Sequence, residues 1–192
     1  TTDFQFMLSG AIKEAGVLAL LNRAVAQRSG HWPLGETFSV REAPRDLDGL
    51  LQLALDRLDP RQVPRLVGIG DTVSARPEPG AGNGEATNMQ RGGSDRGFLT
   101  LIQALGARWG REHPVLYVDS SAGQVRRPGI DARHLQRCQQ DPSLSPWPAV
   151  SGISDPQDPL RLSYVFPGGH RQYIQFFLEL AQHWPVATAP AA

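Results

Sequence analysis

The sequence predicts an α/β fold, a mostly parallel sheet with helices on both faces. Three short apolar runs, "RLVGIGD" (65–71), "PVLYVDSS" (114–121) and "LRLSYVFPGG" (160–169), are rich in Val, Ile, Leu and Tyr. Turn residues bound each run, the pattern of strands buried on both faces. Segments with apolar residues at helical spacing separate them, and helix–strand alternation of this kind builds a covered parallel sheet. A third observation adds one antiparallel piece. Asn83-Gly84 lies at the centre of the Gly/Pro-rich insert "VSARPEPGAGNGEATNMQRGG", and Asn-Gly favours a tight hairpin turn. A β-hairpin is therefore expected over about 74–91, although its prolines limit the pairing.

The first helix fits 8–28, "LSGAIKEAGVLALLNRAVAQR", with Ser9 as a plausible N-cap. "GHWPLGE" (30–36) interrupts the pattern, and "DLDGLLQLALDRL" (46–58) forms the second helix, stopped by Asp59-Pro60. "GFLTLIQALGARW" (97–109) and "DARHLQRCQ" (131–139) are the next two helices. Residues 140–160 are rich in Pro, Ser and Asp and read as an exposed loop. "HRQYIQFFLELAQHW" (170–184) closes the fold, and "PVATAPAA" (185–192) has the composition of a disordered tail.

Composition excludes several classes. The 192 residues suffice for one well-buried α/β domain. A formal net charge of zero and a pI near 6.9 give no electrostatic reason to expect nucleic acid or an anionic membrane as a partner. No apolar run is long enough to span a bilayer. "TTDFQFMLSG" has no basic n-region and does not read as a signal peptide. Cys138 is the only cysteine, so no internal disulfide forms, and a cytoplasmic setting is expected. Lys13 is the only lysine.

In parallel sheets, ligands sit outside the carboxyl ends of the strands. The ends here are Asp71-Thr72, Asp119-Ser120-Ser121 and Gly168-Gly169-His170. Asp71 suits a hard cation such as Mg²⁺, and it equally suits capping a turn. Asp95, in "GGSDRGFL", opens a helix, where Ser94 or Asp95 is a plain N-cap on the simplest reading. Gly93 and its neighbour permit close backbone approach to a ligand, and the helix N-terminus favours anions. Arg91 and Arg96 flank this point as contacts for phosphate or a polyol, or as solvated arginines. A hairpin between Asp71 and Asp95 would return the chain to its start and bring the two acids together. His170 is a candidate contact for sugar hydroxyls or phosphate and equally a capping residue. The other histidines show no metal-ligand spacing.

The pattern Gly70-Asp71-Thr72, hairpin, Ser94-Asp95, helix resembles the late acidic motif of the haloacid-dehalogenase-like phosphatases. More narrowly, "GIGDTV", "RGGSDRGFLTLIQ", "VDSSAGQVRRPGI" and "YVFPGGHRQYIQFFLELA" resemble the cyanobacterial glucosylglycerol-phosphate phosphatases. The resemblance implies a Rossmann-type core and Mg²⁺-dependent hydrolysis of glucosylglycerol 3-phosphate, releasing an osmoprotectant made under salt stress. It implies Asp71 and Asp95 as metal residues and places Thr72, Arg91, Gly93, Ser94, Arg96 and His170 near the substrate. It also implies a sugar phosphate as ligand; a partner, the synthase of that phosphate, is an alternative supported by the exposed Pro-rich segment 140–160 alone.

The chain departs from the superfamily pattern at the nucleophile. The superfamily opens catalysis with an Asp-x-Asp at the end of its first strand. The only Asp-x-Asp here is Asp46 and Asp48, which opens a helix and suits its macrodipole. The resemblance therefore implies that this chain is the C-terminal portion of the enzyme, with the nucleophile upstream. Residues 1–35 would end a cap or linker region, and 36–184 would form the C-terminal part of the core. The superfamily also steadies the phosphate with a lysine or arginine placed before the Gly-Asp strand. Arg45 falls in that neighbourhood, although a solvated helix-start arginine is the other reading. Lys13 falls too early on this pattern.

Overall fold

A computed structural model describes residues 12–78, 89–120 and 129–183. Its elements, in order, are α1 (Lys13–Ser29), α2 (Leu47–Arg57), β1 (Gly68–Gly70), β2 (Ser74–Pro77), β3 (Met89–Gly92), α3 (Arg96–Arg108), β4 (Val115–Val118), α4 (Ala132–Gln140), β5 (Tyr164–Phe166) and α5 (Gly169–His183). A single 3-10 turn covers Trp147–Ala149. The parallel sheet runs β1-β4-β5, with Gly68 opposite Val115 and Leu116 opposite Tyr164. The predicted hairpin forms as β2 and β3, antiparallel, with Ser74 opposite Gly92 and Pro77 opposite Met89. Ser9, Asn83-Gly84, Ser121 and the tail lie outside the described residues.

Helices cover both faces, as the alternation predicts. On one face α3 is the central element. Its Leu99 and Ile102 pack with Val115 and Tyr117 of β4, while Leu101 and Leu105 face α1 and α2. Burial all round is what a helix between a sheet and a second helical layer requires. α1 buries Ala15, Leu18, Leu21 and Val25 in the same core as Leu50 and Ala54 of α2. α1 thus belongs to one layer with α2 and α3, and this places its first residue, Lys13, beside the start of α3. On the other face, Tyr173, Phe176 and Phe177 of α5 cover Leu116, Val118 and Phe166.

β4 is buried at all four positions, as befits the middle strand. β1 differs from the expectation for "RLVGIGD". Gly68 and Gly70 are buried, but Val67 and Ile69 are 48% and 39% exposed. The cause is position: β1 is an edge strand, and α5 packs over β4 and β5.

The segment 140–160 is irregular, as expected, but it is not an exposed strip. Ala149, Val150, Ile153, Ser154, Asp155, Asp158 and Leu160 are all buried. The Pro-rich composition sets the backbone path, while apolar and paired charged side chains turn inward. Among the described residues, no helix is long and apolar enough to cross a membrane.

Candidate active site: a carboxylate pair held by a lysine

Asp71 follows β1 directly, and the hairpin returns the chain to Asp95 beside it. The two acids are in direct contact: Asp95 Oδ2 accepts the backbone N–H of Asp71 at 2.9 Å and that of Thr72 at 3.0 Å. In return the Asp95 N–H donates to the Thr72 carbonyl at 3.1 Å. Asp95 occupies the N-cap position of α3, yet its side chain makes no capping bond there. The simple capping reading fails because the carboxylate turns back onto the end of β1. Gly93 makes the close approach possible. Its φ is +102°, and a Cβ at this residue would lie 2.1 Å from the Thr72 carbonyl oxygen.

Lys13 completes the cluster. Its ammonium donates to Asp95 Oδ1 and to Ser94 Oγ, the latter at 3.2 Å. Asp95 is 4% exposed. A carboxylate so buried needs a cation or several donors, and it has both. Close packing of α1 on α3 enables this. The Glu14 carboxylate occupies the space a Cβ would take at Gly97, 1.5 Å from the ideal Cβ position. Any larger residue at 97 would displace Glu14.

Asp71 stands in front of this buried group and is only half-buried. Its Oδ1 accepts from Thr72 Oγ1 at 2.7 Å, and its Oδ2 accepts from Ser120 Oγ at the end of β4. The hydrogen bonds from Ser120 and Thr72, reinforced by the Lys13 charge, hold the Asp71 carboxyl below its ordinary value although partial burial opposes them. Asp71 is therefore a carboxylate throughout the neutral range.

Other predicted site residues lie elsewhere or have other partners. Thr72 and Ser94 are exposed at the cluster. Arg91 makes a two-point ion pair with Asp155, both bonds 3.0 Å, on the segment after the 3-10 turn. Arg96 pairs with the fully buried Asp158 at 2.7 and 2.8 Å and also donates to the carbonyls of Gly92, Ser74 and Ile153. The arginines therefore tie the base of the hairpin to the loop. His170 is exposed in the first turn of α5. Arg45 is exposed immediately before α2, a helix packed on α1 and α3 through Leu50 and Ala54. Asp46 is the N-cap of α2, accepting the Gly49 N–H at 2.7 Å, and Asp48 lies in the first turn, as their helix-start reading predicts. Lys13 was the residue missed. Its rarity was the sequence signal, but nothing in the sequence gives the direction in which α1 docks.

No three His, Cys, Asp or Glu side chains among the described residues converge as a metal cage. Mg²⁺ does not need one, because it keeps several waters and takes one or two carboxylates plus substrate phosphate. Asp71, half-buried, ionised and at a strand end, fits such an ion. Asp95, with both oxygens engaged by the protein, fits as the group behind it. A cavity of about 580 Å³ between α4, β5 and α5 shares no lining residue with this cluster.

The chain matches the glucosylglycerol-phosphate phosphatase family over residues 1–181. It is 45% identical over 186 residues to a protein of Synechocystis sp. named glucosylglycerol-phosphate phosphatase, covering 95% of this chain and 41% of that relative. The chain thus spans about two-fifths of the length of the curated relative it matches. No solved structure matches.

Proposed function

We propose, since this chain belongs to the glucosylglycerol-phosphate phosphatase family, that it forms the phosphate- and metal-holding part of a cytoplasmic Mg²⁺-dependent phosphatase. The substrate is glucosylglycerol 3-phosphate and the product is the free polyol. The observation that carries this reading is the chain of contacts Lys13–Asp95–Asp71–Ser120 at the carboxyl ends of two adjacent parallel strands. A phosphate monoester needs cationic and hydrogen-bond donors around its oxygens. Lys13, half-exposed with its ammonium anchored on Asp95, offers a fixed positive charge. The Ser94 hydroxyl stands beside it, and the Thr72 hydroxyl is bonded to Asp71. Lys13 takes the phosphate-steadying role expected of Arg45. When bound at Asp71, Mg²⁺ would supply charge neutralisation for the phosphate oxygens.

The phosphate-accepting carboxylate is assigned to a segment outside this chain, because its only Asp-x-Asp is engaged at the start of α2. The role of this chain is then to bind, orient and neutralise. Asp95 positions the Asp71-Thr72 backbone, and Lys13 keeps the Asp95 charge compensated. The decisive measurement is phosphate release from glucosylglycerol phosphate by the full-length protein, with Mg²⁺ and with chelator. Hydrolysis that needs Mg²⁺ and is lost in Asp71→Asn is the expected result. Full activity in Asp71→Asn would remove the metal role.

A second reading is a sugar-phosphate-binding module without turnover. It is favoured by one observation: both Asp95 oxygens are already engaged by protein donors. Calorimetric binding of the sugar phosphate with no phosphate release by the full-length protein would select it.

A further inference from the structure

The lysine–carboxylate cluster offers groups for a phosphate, and the rest of a phosphorylated polyol needs a seat of its own beside it. A cavity of about 290 Å³ lies between β2 with its lead-in, Val73–Pro77, and the facing loop Ser151–Ile153, closed by Gly129. Val73 in its wall follows Asp71 by two residues, a span of at most about 7 Å. The volume is at the small end of ligand cavities, which run from roughly 300 to 1,000 Å³. That range suits a single sugar ring with a short tail. Its lining joins the buried, apolar Val73, Ala75 and Ile153 to the polar residues Ser74, Arg76 and Ser151. Among the described residues no carboxylate pairs with the exposed Arg76.

The two walls are fastened together. The Ala75 N–H donates to the Gly152 carbonyl at 3.1 Å. One nitrogen of Arg96 donates to a carbonyl on each wall, Ser74 at 2.9 Å and Ile153 at 3.1 Å, while Asp158 holds the guanidinium from behind. Arg91 and Asp155 make a second brace between β3 and the loop. A cavity whose walls are fixed before the ligand arrives loses little ordering entropy on binding.

We propose that this cavity is the subsite for the uncharged polyol half of the substrate. Arg76 and the two serine hydroxyls are its hydrogen-bonding groups, and Arg96 with Asp158 is the pair that positions its walls. The inference rests on the phosphatase reading above and deepens it. The test uses the full-length protein with glucosylglycerol phosphate and with p-nitrophenyl phosphate, whose aryl group lacks the polyol. Ser151→Trp fills the cavity from an exposed position, so the melting temperature should hold. KM for glucosylglycerol phosphate should rise at least tenfold, while both constants for p-nitrophenyl phosphate stay within twofold. Unchanged KM for the sugar phosphate, or a parallel loss on both substrates, overturns the inference. If the wild type hydrolyses neither compound, the phosphatase reading fails and the cavity is judged alone. Titrated glucosylglycerol should then give binding heat with the wild type and none with Ser151→Trp, and no heat with the wild type overturns the subsite.

Discussion

Asp95 holds the backbone of Asp71: one carboxylate oxygen, 2.9 Å from the Asp71 nitrogen, also receives the Thr72 N–H. The two acids therefore have different tasks. Asp95 is a buried anchor, and Asp71 presents its charge outward. Asp71→Asn should leave the fold intact, because one of the Thr72 and Ser120 hydroxyls can donate to the amide oxygen while the other accepts from the amide N–H. Phosphate release by the full-length protein should fall by about 10²–10³-fold, the scale of losing one aligned electrostatic group. Steady-state kinetics paired with thermal melting checks this.

Asp95→Asn should behave differently. The amide loses the Lys13 attraction and weakens the two backbone bonds that shape the Asp71-Thr72 turn. A stability loss of about 2 kcal/mol is expected, the scale of hydrogen bonds to a buried charge. Lys13→Met should cost less, about 1 kcal/mol, because the ammonium removed is half-exposed and the buried Asp95 carboxylate keeps both backbone donors. Urea melts give the ordering; equal losses in both variants would refute the anchor role of Asp95.

The two arginine pairs should separate by burial. Asp158 is fully buried, and its Arg96 partner is 14% exposed. Asp158→Ala leaves a largely buried guanidinium uncompensated, at about 3–5 kcal/mol. The Arg91–Asp155 pair is more open, at 28% and 8%, and Asp155→Ala should cost about half as much or less. Chemical denaturation of both variants, with unchanged m-values, measures the difference.

His113 should give stability a pH dependence near neutrality. It is 3% exposed and its Nδ1 accepts the Leu66 N–H at 3.1 Å. Burial, with Arg111 and Arg65 nearby, pushes its pKa down. Below the unfolded value of about 6.5 the unfolded chain binds a proton that the folded chain resists. Stability contributed by neutral His113 is thus complete above that pH and declines as pH falls toward the lowered folded value. His113→Gln should flatten this limb of a stability–pH curve between pH 7 and 5. A limb of unchanged slope would assign it to other groups.

Legibility in the sequence followed sequence distance. The central strand, α3 and the hairpin could be read because "VLYV", the periodic "FLTLIQALG" and Asn-Gly each carry a local signal. The meeting of Asp71 and Asp95 followed from the hairpin alone. Lys13 could not be placed, because its contact with Asp95 crosses 82 residues and depends on how α1 packs. Arg91 and Arg96 read as ligand contacts or solvated arginines because their partners, Asp155 and Asp158, lie in a segment whose composition suggests an exposed loop. Burial of that segment is a tertiary outcome, set by Ile153 and Leu160 entering the sheet-side core.

The hairpin also has a consequence for the order of folding. Asp71 and Asp95 are 24 residues apart, and β1 must still reach β4 across α3. Once Ser74 pairs with Gly92, the effective loop between the acids shortens to roughly seven residues. Loop-closure entropy scales with the logarithm of length, so a zipped hairpin lowers the cost of their meeting by about 1 kcal/mol. The β2–β3 pairing thereby converts a distant meeting into a near one. Disrupting it should slow folding more than it speeds unfolding.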